Sequence, residues 1–210
     1  MNQKEYWNSV AETKTFTLPF GGERFSKYVE KDSVIIDVGC GYGRVLKILS
    51  EEGYENLTGY DFSPQMIERG RNECPPARFE VMEEGKIPRA DKSADAVILF
   101  AVLTCIVSDE KQEELIREIY RILKPDGILY VNDYLLNTDE RNRKRYEQYE
   151  AELGVYGAFA LPEGARCRHH TEEHIRELLR DFEISEFEKI VYTTMNGHSS
   201  SGFTLIGVKK

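Results

Sequence analysis

An α/β fold built on a mostly parallel sheet is what three observations in this 210-residue chain predict. From residue 33 onward, short apolar runs alternate with stretches of helical spacing. The first apolar run ends in a glycine-rich turn, and a Pro-Asp-Gly turn separates a helical stretch from a later β-branched run. Strands that alternate with helices make βαβ units, and such units place their strands parallel.

Each element has a local reason. Residues 33–38 are a β-branched run that ends at Gly39, so they read as a buried strand entering a tight turn. Val45, Leu46 and Leu49 recur at helical spacing, with Gly53 as the C-terminal stop. Residues 57–61 form the second strand, and Ser63-Pro64 is an N-cap followed by proline in the first turn. Residues 77–82 and 94–100 are the third and fourth strands. Asp109 and Gln112 read as a capping box for a helix over 109–123, with Leu115, Ile116, Ile119, Ile122 and Leu123 as its buried stripe. After the 125–127 turn, residues 128–133 are a fifth strand. Residues 1–32 read as a helical cap, and 136–170 as a polar, tyrosine-rich insert made of a helix and a Gly-rich loop. Thr171 caps a short helix, and an Asn196-Gly197 loop joins two final strands in an antiparallel hairpin. The whole chain, 1–210, reads as one domain with its core at 33–135 and its C-terminal helix and hairpin at 171–210.

Composition narrows the class. Lys and Arg number 28 against 37 Asp and Glu, a formal net charge of −9. That balance argues against a broad phosphate-binding face, so no nucleic-acid partner is expected, nor an anionic membrane surface. The longest apolar run, 96–107, is too short to span a bilayer. The N-terminus has no apolar signal region, and the four cysteines form no C-x-x-C pair. A cytoplasmic protein with reduced thiols, monomeric or homodimeric, is the expectation.

The chemistry sits at Gly39-x-Gly41-x-Gly43, where glycine lets a ligand approach the backbone. Asp61 ends the second strand, placed to accept two hydrogen bonds from a ribose diol. The dinucleotide fingerprint G-x-G-x-x-G is not met: the third glycine comes one residue early, and Arg44 stands in its place. Asp37, two residues before the first glycine, would repel a pyrophosphate but favour a cationic ligand.

These residues resemble the class I S-adenosylmethionine-dependent methyltransferases. Residues 37–43, Asp-Val-Gly-Cys-Gly-Tyr-Gly, look like that family's first motif, and Gly59-Tyr60-Asp61-Phe62-Ser63 resembles the second-strand motif. Residues 82–88 resemble the third motif, with Met82-Glu83 where the family usually has Gly-Asp. Residues 94–97 and 123–127 resemble the fourth strand and the turn before the fifth. The resemblance implies a Rossmann-like three-layer sandwich with a seven-stranded sheet in the order 3-2-1-4-5-7-6, the last strand antiparallel. It implies S-adenosyl-L-methionine as cofactor and S-adenosyl-L-homocysteine as product. It implies a cofactor site made of Asp37, Gly39, Cys40, Gly41, Gly43, Asp61, Phe62 and Phe100, with Glu83 or Glu84 at the adenine. No metal is expected.

The acceptor side is less determined. Sites in such sheets lie beyond the C-terminal strand ends. That selects Leu103, Thr104 and Cys105 after the fourth strand, Tyr134 after the fifth, a lid of Tyr6, Trp7 and Phe16, and Tyr146 in the insert. His169, His170 and Tyr134 are the candidate catalytic groups. His170 and His174 spell H-x-x-E-H, but Thr171 as N-cap puts His170 outside the helix and removes the metal geometry. Asp139–Arg143 and Glu140–Lys144 are acid-before-base helix pairs, so the basic 141–145 segment reads as a solvated face. The cysteines are scattered in sequence. A small-molecule methyl acceptor is expected, with an RNA or protein acceptor, a cofactor-binding regulatory subunit or a nicotinamide-linked oxidoreductase as alternatives.

Overall fold

The computed structural model describes residues 3–193 and 197–210. A central sheet collects β1 (Val34–Val38), β2 (Asn56–Asp61), β3 (Arg78–Val81), β4 (Ala94–Phe100), β5 (Leu123–Tyr134), β8 (Phe182–Thr193) and β9 (Ser199–Lys209). Its order is β3-β2-β1-β4-β5-β9-β8. The five strands β1 to β5 pair in parallel, β9 runs antiparallel to β5, and β8 antiparallel to β9. This is the expected sheet, including the reversed strand beside β5.

Alternation along the inner strands fills both faces. Ile36, Val38, Val97, Leu99, Leu129 and Val131 meet α5 (Asp109–Ile122) and α7 (Glu172–Leu178) on one side. Ile35, Ala96, Ile98 and Tyr130 meet α2 (Gly22–Phe25), α3 (Arg44–Glu51) and α4 (Pro64–Glu73) on the other. Strands buried on both faces read as continuous apolar runs, which is why 34–38 and 94–100 were legible. α1 (Gln3–Val10) packs against α4.

Three details depart from the sequence reading. Ser108, not Asp109, is the N-cap of α5: its hydroxyl accepts the Lys111 N–H at 3.3 Å, and Asp109 is the first helical residue. The 125–127 turn is absorbed into β5 as a register shift against β4 between Ala94 and Ala96, with Asp126 at φ +61°. The insert holds more than a helix and a loop: after α6 (Glu140–Leu153) come two short antiparallel strands, β6 (Ala158–Ala160) and β7 (Arg166–Arg168). Asn196 of the expected Asn-Gly turn lies outside the described residues. Among the described residues no helix is long and apolar enough to cross a membrane.

Gly43 shows how tightly the loop after β1 is built. It has φ +77°, and a Cβ there would lie 2.3 Å from Phe79 Cζ. Phe79 is buried on β3 and also packs on Gly70 of α4, so it has no room to retreat. Gly43→Ala is expected to cost about 2–4 kcal/mol, combining left-handed strain with overpacking. A denaturant midpoint equal to that of the wild type would refute this.

Candidate active site

Beyond the C-terminal ends of the parallel strands lies a cavity of about 260 Å³. The loop after β1, the end of β2, the segment after β4, α1 with the irregular stretch that follows it, and the insert all contribute to its wall.

Two carboxyl groups dominate the β1–β2 side. Asp61 Oδ2 accepts the Gly41 N–H at 2.9 Å, and Oδ1 accepts the Ser63 N–H at 2.8 Å. One side chain therefore ties the glycine-rich loop to the start of α4. Burial pushes its pKa up to about 6, although the backbone N–H groups pull the other way. Asp37 is 2% exposed, and its Oδ1 has no hydrogen-bond partner. Burial raises its pKa to about 8, against the attraction of Arg44. Arg44 itself lies on the cavity wall with its guanidinium 5.2 Å from the Phe100 ring. It was not among the expected site residues; its place directly after the third glycine was the available signal.

The N-terminal segment closes over this side. Phe16 stacks on Tyr42 at 5.0 Å, and its backbone N–H donates to the Tyr42 hydroxyl at 2.9 Å. Gly41 sits directly beneath: a Cβ there, at φ +55°, would meet Phe16 Cε2 at 2.6 Å. Arg69 of α4 donates to the carbonyls of Ala11 and Lys14 at 2.8 and 2.7 Å, and the Ser63 hydroxyl donates to Asn8 at 2.7 Å. Gln3 Nε2 bridges the carbonyls of Cys105 and Arg166, each at 2.8 Å. The segment thus clasps α4, the loop after β4 and the insert together, with Tyr6, Trp7 and Phe16 on the cavity wall.

On the opposite side, His169 is fixed through Nδ1. Tyr146 accepts the Asn137 backbone N–H at 3.3 Å, which leaves its hydroxyl proton free to donate to Nδ1 at 2.7 Å. The Asn137 side-chain amide reaches the same nitrogen at 3.2 Å and donates to Ser200 Oγ at 3.1 Å. An accepting Nδ1 puts the ring proton on Nε2. Burial, reinforced by Arg145 and Arg141, pushes the His169 pKa down to about 3. His169 is therefore a neutral hydrogen-bond donor rather than a base. Tyr134 stacks on it at 5.2 Å, and burial raises the Tyr134 hydroxyl well above its ordinary value.

The cavity brings together Asp37, Gly39, Cys40, Gly41, Asp61, Phe62, Phe100, Thr104, Cys105, Tyr134 and His169, besides the lid aromatics. Other expected site residues lie elsewhere. Gly43 serves packing against Phe79. Glu83 and Glu84 are exposed; Glu84 pairs with Lys111 at 3.0 Å, and the Glu83 backbone pairs with that of Lys86 in a tight turn after β3. Leu103 is fully buried in the core. Tyr146 is buried behind His169, which it positions. His170 is buried off the cavity, its ring stacked on His174 at 5.4 Å.

Two groupings escaped the sequence. Cys105 and Cys167 line one cavity together with Cys40, so the cysteines are less scattered in space than in sequence. Burial raises the Cys167 thiol to about 12 and Cys105 well above its ordinary value, so neither is a thiolate at neutral pH. The basic segment of α6 also divides. Lys144 pairs with Glu140 at 2.7 Å on the exposed face, while Arg141 and Arg145 line the cavity. Asp139 does not pair with Arg143; it caps α6 by accepting the Asn142 N–H at 3.1 Å.

Comparison with known proteins agrees with this geometry. Residues 36–131 match the family model described as a methyltransferase domain. A S-adenosylmethionine-dependent methyltransferase from Methanosarcina mazei superposes with a TM-score of 0.86 at 26% identity, covering 92% of this chain and 99% of that one. A demethylmenaquinone methyltransferase of Chlorobaculum parvum is 28% identical over 147 residues, which are 69% of this chain and 55% of that protein. The mouse tRNA N(3)-cytidine methyltransferase METTL2 is 34% identical over 111 residues, 48% of this chain and 28% of that one. The chain thus spans little more than half of one of these curated relatives and less than a third of the other.

The tRNA-acting relatives overturn the expectation that disfavoured nucleic acid as a partner. That expectation rested on the net charge of −9, which is a sum over the whole surface. The cavity itself carries Lys14, Arg44, Arg141 and Arg145, so its local charge does not follow the total.

Proposed function

We propose that this chain, whose fold is that of the class I S-adenosylmethionine-dependent methyltransferases, moves a methyl group from that cofactor to an oxygen, nitrogen or sulfur atom of an acceptor. The observation that carries the reading is the pair of buried carboxyls, Asp37 and Asp61, set against a glycine-rich loop on a cavity that continues into the insert. The cofactor supplies a methyl on a cationic sulfur: the acceptor's lone pair takes the methyl carbon, and the broken C–S pair stays on sulfur as S-adenosylhomocysteine.

The residues fit that group. The unpartnered Oδ1 of Asp37 suits an ammonium, and Arg44 nearby suits the carboxylate of the same amino-acid end. Asp61 retains lone pairs for a ribose diol while it holds Gly41. Gly39, Cys40, Phe62 and Phe100 complete the wall around it. Trp7 and Phe16 exclude water from the reacting atoms, and Thr104, Cys105 and Tyr134 shape the acceptor's seat. His169 orients the acceptor through Nε2–H. With His169 neutral and the cavity thiols protonated, the protein holds its acceptor in line and relies on an atom that is already nucleophilic. The free state of all four cysteines supports a reducing, cytoplasmic setting.

Transfer of labelled methyl from S-adenosylmethionine to a panel of phenols, carboxylic acids, thiols and tRNA tests this. Incorporation into one class is expected. Cofactor binding without incorporation into any of them would favour a regulatory subunit. A tRNA acceptor is the second reading, favoured by the tRNA-acting relatives together with Arg141 and Arg145 on the cavity.

Trp7 provides a direct reporter. It is the chain's single tryptophan, is half-buried and lines the cavity. Its emission is expected to change on addition of S-adenosylhomocysteine, and Trp7→Phe to abolish the signal while binding persists by calorimetry. A wild-type spectrum that stays constant through saturation contradicts the lid assignment.

A further inference from the structure

We infer that the insert holds an anion-binding subsite for the acceptor, centred on Arg145; this deepens the methyltransferase reading and rests on it. The acceptor would then carry a carboxylate or phosphate group.

Arg145 lies on the cavity wall with its guanidinium 3.5 Å over the Phe159 ring, stacked so that the plane is held in place. Its Nε is buried without a hydrogen-bond partner. Among the described residues it forms no ion pair with a carboxylate, and its interaction with the Tyr146 hydroxyl leaves the charge itself uncompensated. A partly buried, uncompensated charge is costly unless a ligand completes it. Arg141 precedes it by one turn of α6 and lines the same cavity, and Lys14 reaches the cavity from the lid, its Nζ 3.2 Å from the Tyr6 hydroxyl.

The acids do not neutralise this group. Asp37 and Asp61 belong to the glycine-loop side, and Asp139, which caps α6, makes only a long 3.9 Å ion pair with Arg141 and none with Arg145. The cavity therefore separates its charges. Acids serve the cationic cofactor at one end, and guanidinium groups face the insert at the other. A planar fork such as Arg145 binds two oxygens of a carboxylate or phosphate at once.

The test uses the full chain saturated with S-adenosylhomocysteine and titrated by calorimetry with benzoate, inorganic phosphate and AMP, with benzamide as the uncharged control. At least one anion is expected to bind about tenfold or more tighter than benzamide, and Arg145→Gln to remove that preference while Arg145→Lys keeps part of it. Arg141→Gln is the second variant should Arg145→Gln fail to fold, with a smaller loss expected. Lys144→Gln on the exposed face should change nothing. Benzoate preferred over phosphate marks an organic acid acceptor; AMP or phosphate preferred marks a nucleotide one. Anions no better than benzamide, or an anion preference untouched in both arginine variants, overturns the subsite. Failure of S-adenosylhomocysteine itself to bind the wild type overturns the methyltransferase reading instead, so the two failures are distinct.

Discussion

Asp61→Ala is expected to weaken S-adenosylhomocysteine binding by about 2–4 kcal/mol, or roughly 30- to 1000-fold. Two losses combine. The ribose diol loses a charge-assisted acceptor, and the glycine-rich loop loses the carboxylate that fixes the Gly41 and Ser63 N–H groups at 2.9 and 2.8 Å. Asp61→Asn keeps the shape and one carbonyl acceptor, but turns an amide N–H toward a backbone N–H; its loss should be intermediate. Calorimetry decides the matter, and wild-type affinity in Asp61→Ala would remove the residue from the site. The same carboxyl, with its pKa raised to about 6, should make binding weaken further as pH falls through that value.

The second large effect is a proton. Empty, the protein holds the Asp37 carboxyl up to about 8 because burial disfavours its charge. An ammonium beside it favours the ionised form. Binding at neutral pH therefore releases a proton from Asp37, and affinity should rise with pH up to about 8, by at most about tenfold per unit. The sign for the empty protein is opposite. The unfolded chain ionises this aspartate near its ordinary 3.8, so the folded state loses stability as pH rises from there to about 8, and no further above. Asp37→Asn should flatten both slopes and lower affinity most at alkaline pH. Calorimetry in buffers of differing ionisation enthalpy counts the protons; a wild type that binds with no proton release at pH 7 contradicts this account.

What was legible in the sequence was what local chemistry determines. The apolar runs at 34–38 and 94–100 had to be strands buried on both faces, and the glycines after Val38 with Asp61 at the end of β2 marked the loop that lines the cavity. What was not legible depends on packing at long range. Nothing local shows that Tyr146 and Asn137 would hold His169 in one tautomer, or that Arg141 and Arg145 would line the cavity while Lys144 paired with Glu140. Cys105 and Cys167 share one cavity through long-range packing of their segments, tied by Gln3 to the Cys105 and Arg166 carbonyls and by Arg168 to the Val107 carbonyl. β6 and β7, each three residues long, are too short for periodicity to reveal. The resemblance places Glu83 or Glu84 at the adenine, and both side chains are exposed and outside the cavity lining.

The methyltransferase reading requires the cavity beside Asp37 and Asp61 to be a S-adenosylmethionine site closed by the N-terminal segment. Titration of S-adenosylhomocysteine into the full chain, followed by calorimetry with a parallel melting curve, tests it most directly. The account predicts saturable one-site binding and a melting temperature that rises with ligand concentration. No heat and an unmoved melting temperature would contradict it.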